Sequence, residues 1–160
     1  MGPNKYETFK VLLKAGARID TITHTGVSNL IAACSNEDAD PQVIQHLLTR
    51  MSRKEVNYRL RPQTSKWKLI RLSAKILYRF GLVKSTIVKR LALGTGLTAL
   101  HYAARRGDVN VVKMLLSAGA DPRITNDFGH DAISMSHAFP GLRGLLEKRE
   151  RKMKLKKVDS

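Results

Sequence analysis

GTGLTALHYAARRGDVNVVKMLLSAGADPRITNDFGHDAI, running from Gly94 to Ile133, is the stretch from which the rest of the chain becomes readable. Thr98 stands before an apolar run, where its hydroxyl can accept a free backbone N–H as an N-cap. Leu100, Ala103 and Ala104 fall on one helical face, and the small alanines allow close approach of a neighbour. Gly107 suits a tight turn. Val111, Val112, Leu115 and Leu116 then follow an i, i+1, i+4, i+5 pattern, the inner face of a second helix. Gly119 stands where a helix ends in a left-handed residue. Asp121-Pro122 turns the chain into an extended hairpin. The spacing predicts two short antiparallel helices and a hairpin.

The unit recurs. Gly96 and Gly129 are 33 residues apart, and Leu100 then falls on Ile133. VLLKAGARIDTITHTG (Val11 to Gly26) overlays MLLSAGADPRITNDFG (Met114 to Gly129), and GVSNLIAAC (Gly26 to Cys34) overlays GLTALHYAA (Gly96 to Ala104). Periods of this size mark stacked repeat architectures.

These residues resemble the ankyrin repeat family. Gly96, Thr98, Leu100, His101, Ala103, Ala104, Gly107, Val111, Val112, Leu115, Leu116, Gly119, Ala120 and Asp121 match its pattern, with Ala99 in place of the family proline. The resemblance implies an all-α solenoid of helix-turn-helix repeats with short β-hairpin-like loops. It also implies that the His101 ring ties neighbouring repeats by hydrogen bonds. The expected layout is a repeat stack over 5–150: a half repeat at 5–24, a repeat at 25–57, a basic segment at 58–93, the best repeat at 94–126 and a shortened capping repeat at 127–150. A basic tail, 151–160, follows. The start in mid-repeat is consistent with a stack that continues upstream or with a fragment.

The segment 58–93 carries none of the repeat's usual letters. No acid lies between Glu55 and Asp108, while 12 Lys or Arg do, together with the single tryptophan, Trp67. KWKLIRLSAKILYRFG (Lys66 to Gly81) predicts a helix over 66–80, on which Lys68, Arg71, Lys75 and Arg79 form one stripe and the remainder is mainly apolar. A second helix is expected at STIVKRLAL (Ser85 to Leu93). The segment is either a degenerate repeat of the right length or a helical insertion at a hairpin tip. Its apolar face could pack on the repeats with the basic stripe solvated. It could instead lie in a membrane interface, or the stripe could dock an acidic protein or a nucleic acid.

Composition bounds the function. The net charge of +16 implies attraction to something acidic. The single cysteine, Cys34, excludes an intramolecular disulfide and fits a reducing compartment. The start MGPNKYETFK lacks the apolar core of a signal peptide, and no apolar run is long enough to span a bilayer. GTGLTA lacks the lysine and spacing of a phosphate loop. The histidines show no metal spacing, and Cys34 on an apolar face reads as a buried, inert thiol. No catalytic residue, metal or cofactor is expected.

The expected function is a non-catalytic protein-interaction module, a monomer binding an acidic protein on the concave face of the stack. The alternative is a peripheral anionic-membrane or nucleic-acid binder acting through the 66–80 helix and the tail, KRERKMKLKK from Lys148 to Lys157. The family resemblance places the partner-binding surface on hairpin tips and first-helix outer positions. Here these are Tyr102, Arg105 and Arg106, then Asn126, Asp127, Phe128 and His130, with Thr23, Thr25 and Ser35 as weaker equivalents. Thr23, Leu93 and Asn126 stand in place of the family's hairpin aspartate. The expected location is cytoplasmic, with the nucleus or a membrane surface as alternatives.

Overall fold

The computed structural model describes residues 5–82 and 95–158. Among these the structure is helical: α1 (Lys5–Lys14), α2 (Asn29–Ser35), α3 (Pro41–Leu48), α4 (Arg53–Val56), α5 (Ser65–Arg79), α6 (Ala99–Arg106), α7 (Val109–Ser117), α8 (Ala132–Met135) and α9 (Pro140–Val158). The expected second helix at 85–93, and Leu93, lie outside the described residues.

Local chemistry sets the helix starts. Ser28 Oγ accepts from the Ile31 N–H at 3.3 Å to open α2. Asp40 accepts from the Gln42 N–H at 2.8 Å, with Pro41 supplying a preset φ at the first position of α3. Asp108 does the same for α7 and Asp131 for α8, through Val111 and Ser134 at 3.0 and 2.8 Å. At α6 the cap is reciprocal between Thr98 and His101. Gly107 closes α6 at φ +76°, and a Cβ there would come within 2.5 Å of the Phe139 ring.

The helices pair and stack. α2 lies against α3 and α6 against α7; between pairs, α2 meets α6 and α3 meets α7. Leu30, Ile31, Ile44, Leu47, Leu100, Val112 and Leu115 are buried where the pairs meet. α8 packs on α6, and α9 covers that end, burying Leu142 and Leu146. Arg149 on α9 donates to the Leu116 carbonyl at 3.1 Å, serving a C-terminal carbonyl of α7. The basic tail continues as helix to Val158. At the other end α1 packs on α3, and Phe9 meets the His46 ring edge-on at 5.4 Å. None of the described helices is long and apolar enough to cross a membrane.

The hairpins show how 58–93 joins this stack. The Thr23 N–H donates to the Val27 carbonyl at 3.0 Å, and the Asn126 N–H to the His130 carbonyl at 2.8 Å. Both carbonyls immediately precede a helix cap. The third equivalent is the Leu60 N–H donating to the Leu97 carbonyl at 2.8 Å, with the Gly96 N–H returning to the Leu60 carbonyl at 2.9 Å. Each outer hairpin spans four residue steps and the middle one spans 37, an excess of 33. The two sides of this hairpin are therefore one repeat length further apart in sequence, while the flanking helix pairs touch directly. The length suits a degenerate repeat; on the direct contact of α2 with α6 we read the segment as an insertion. Gly26, at φ +86°, lies so close to the Arg61 carbonyl that a Cβ would overlap it, so the insertion leaves the stack directly beneath the first hairpin tip.

Candidate protein-interaction surface

The best repeat holds its first helix to the next hairpin through one ring. His101 Nδ1 accepts from the Thr98 N–H at 3.1 Å, and Thr98 Oγ1 lies 2.8 Å from the same nitrogen. Nε2 lies 3.1 Å from the His130 carbonyl, an acceptor only, so it carries the proton. Burial pulls the imidazole below its ordinary value, against the pull of the His130 carbonyl and Asp131. The ring is a neutral tie between repeats.

Tyr102 and Arg105 project from the same helix, with the guanidinium 5.1 Å from the ring centroid. Burial pushes the Tyr102 phenol up, while the charges of Arg105 and Arg71 oppose it. Tyr102 is half-buried and Arg105 exposed. Arg106 is committed elsewhere: it donates to the carbonyls of Cys34, Asn36 and Glu37, and Asp108 lies 3.8 Å away. It ties α6 to the loop between α2 and α3. The family resemblance placed it beside Arg105 on the binding face, but the backbone carbonyls at and just beyond the end of α2 draw its planar fork inward.

At the following hairpin, Asn126 is buried, and its Oδ1 accepts from the Phe128 and His130 N–H groups at 2.9 and 3.0 Å. It shapes the turn rather than facing a partner. Asp127, Phe128 and His130 are exposed at the tip. Asp127 accepts from Arg59 Nη2 and from Lys75 Nζ, each at 3.1 Å. Partial burial pushes its carboxyl up, but the hydrogen bonds from Thr95 and Lys75 and the charges of Lys75 and Arg59 outweigh this and hold it below the ordinary range. Lys75 Nζ also stands 5.4 Å from the Phe128 ring centroid. Nothing in the repeat pattern signals Arg59. Thr23 and Thr25 are hydrogen-bonded to each other at 2.8 Å, and the Ser35 hydroxyl donates to the Ala32 carbonyl.

The helix α5 lies beside these tips, and its inward side mixes docked cations with the half-buried Trp67, Ile70, Leu77 and Tyr78. Arg71 is only 8% exposed and donates Nη2 to the Thr25 carbonyl at 3.1 Å. Burial lowers its pKa from the ordinary value. Ala74 is buried with it, and Trp67, Lys75 and Tyr78 are half-buried on the same side. Lys68 and Arg79 remain exposed. The basic stripe is therefore split between docked and solvated cations. The reason is the polar hairpin side that α5 meets: it offers a backbone carbonyl and a carboxylate, acceptors that reward cations and not leucines.

Cys34 is buried, and its thiol is pushed up to about 12 by that burial. Among the described residues no three His, Cys, Asp or Glu side chains converge as a metal site would need.

Comparison with known proteins fits this geometry. The family model described as Ankyrin repeat matches residues 95–127. The chain is 50% identical over 56 residues to Zinc finger CCCH domain-containing protein 56 of Arabidopsis thaliana, covering 31% of this chain and 8% of that protein. It is 51% identical over 39 residues to Probable E3 ubiquitin-protein ligase XBOS34 of Oryza sativa subsp. japonica, covering 24% of this chain and 8% of that protein.

Proposed function

We propose that this ankyrin-repeat protein is a non-catalytic interaction module that binds an acidic protein on the face formed by its hairpin tips, its first helices and the inserted helix α5. Ankyrin repeats mediate protein–protein contacts, and stacked repeats bind through such extended surfaces. The observation that carries the finer reading is the local charge inventory. The face presents Arg105 on the Tyr102 ring, exposed Lys68, and the Phe128 and His130 side chains. Its one carboxylate, Asp127, is already matched by Arg59 and Lys75. An acidic partner would meet uncompensated cations around an aromatic centre, the composition that favours fast, salt-sensitive association. Two groups that could do chemistry are engaged structurally: burial favours the protonated Cys34 thiol, and both His101 nitrogens are bonded within the stack.

The test is affinity capture from a cell extract at moderate salt, comparing the native chain with Arg105→Glu combined with Lys68→Glu. Both side chains are exposed, so the fold should survive, as circular dichroism would check. Proteins held by the native chain and released from the variant support the proposal. Identical capture by the two would overturn it.

A further inference from the structure

We propose that the outward face of α5 docks on an anionic phospholipid surface. At about 100° per residue, Leu69, Leu72, Ile76 and Phe80 fall on one stripe, diametrically opposite the docked Arg71 and Ala74. They are 68%, 55%, 47% and 72% exposed. A continuous row of large apolar side chains in water, on a helix whose other side is already occupied by the docked Arg71 and the buried Ala74, marks a contact surface rather than a packing remainder.

The flanks of the stripe identify the occupant. Lys66 borders it on one side and Lys68 and Arg79 on the other, all exposed. Long cationic side chains beside an apolar row can hold their stems in the acyl boundary and their charges at the headgroups. At Leu72 the stripe meets a cleft of about 320 Å³ that is also lined by Arg61, Lys68, Arg71, Lys75 and Asp127. Asp127 is already paired twice, so the cleft is cationic. Arg71 leaves Nε and Nη1 without an acceptor in the protein. A phosphodiester headgroup fits a cationic cleft set at the edge of an apolar row, with the row resting in the acyl boundary beside it. A helix of 15 residues would lie in the interface rather than cross it. Nucleic acid suits the surface less well, because Leu69, Leu72 and Ile76 offer no face on which bases stack and Phe80 stands alone at the end of the row. This surface shares Lys68 with the face assigned to the protein partner, but the apolar stripe lies outside that face, so the Gln replacements on the stripe and the Arg105 substitution test the two readings separately.

The test is co-sedimentation of the full chain with phosphatidylcholine vesicles, with or without phosphatidylserine, at low and raised salt. Binding to the phosphatidylserine vesicles alone is expected, weakening with salt. Replacing Leu69, Leu72 and Ile76 by Gln removes apolar area without adding charge and should cut binding roughly tenfold or more. Phe80→Gln, at the end of the helix, should cut it several-fold and keeps the test decisive if the triple variant misfolds. Lys68→Gln with Arg79→Gln should weaken binding and reduce its salt dependence, the remaining cations of the cleft keeping the rest. No binding to either vesicle would overturn the proposal. So would binding unaffected by the Gln replacements, which would reflect net charge alone, or soluble polyglutamate captured with the same dependence on the apolar stripe, which would make the occupant an acidic protein.

Discussion

Lys75 Nζ lies 3.1 Å from a carboxylate oxygen of Asp127, joining a helix that leaves the stack at one hairpin to the tip of the next. Arg59, at the root of the insertion, reaches the other oxygen at the same distance. One carboxylate thus anchors both the start and the middle of the inserted segment. Asp127→Asn should release α5 without unfolding the stack. The anchoring pairs are partly exposed and together contribute about 1 kcal/mol, so amide exchange within α5 should quicken roughly fivefold. Exchange in α6 and α7 should stay unchanged. Equal acceleration in all three helices would mean that α5 and the stack open as one unit.

His101 makes stability depend on pH in a defined direction. Its folded-state pKa lies below the ordinary value, so the unfolded chain takes up the proton first as pH falls. The stabilisation is fully present above about pH 6.5, the unfolded value, and is lost as pH drops toward the folded one. Urea midpoints should fall from about pH 7.5 to about pH 5.5, and His101→Gln should flatten part of that slope while lowering the midpoint throughout. An unchanged slope in the variant would remove His101 from the effect.

Leu115 and Leu116 line the seam between repeats, with Leu115 wholly enclosed. Leu115→Ala should cost about 2–5 kcal/mol, the range for a buried leucine. Because α7 contacts both α6 and α3, the loss should loosen both repeats in a urea melt. A change under about half a kcal/mol would contradict the packing.

The neighbours Arg105 and Arg106 should separate cleanly. Arg106→Gln strips donors from three backbone carbonyls and should cost about 1–3 kcal/mol in thermal or urea unfolding. Arg105→Gln removes a cation resting on an aromatic ring and should stay within about half a kcal/mol. Equal costs would mean that Arg106 is not the tie between α6 and the loop after α2.

The Gly96-to-Asp121 pattern, read with its echoes at Val11–Gly26 and Gly26–Cys34, was enough to settle the repeat architecture. Caps, glycine turns and apolar spacing are local properties, and a repeat's stacking face follows from its own helix periodicity. The tie made by His101 came from the family resemblance alone, and the structure places its ring between the Thr98 cap and the His130 carbonyl. The inserted segment was legible only as a helix and a charge excess. Its length equals a repeat period, so counting alone could not tell a degenerate repeat from an insertion. The Leu60–Leu97 hydrogen bonds, closing a hairpin across 37 residue steps, are what favours the insertion. Helical periodicity defined two faces on α5 but not which one turns inward. That depended on acceptors distant in the chain, the Thr25 carbonyl and the Asp127 carboxylate. Meeting a hairpin edge that carries those acceptors, α5 turns Arg71 and Lys75 toward them together with Trp67, Ala74 and Tyr78. Only the tertiary structure could therefore leave Leu69, Leu72, Ile76 and Phe80 facing outward.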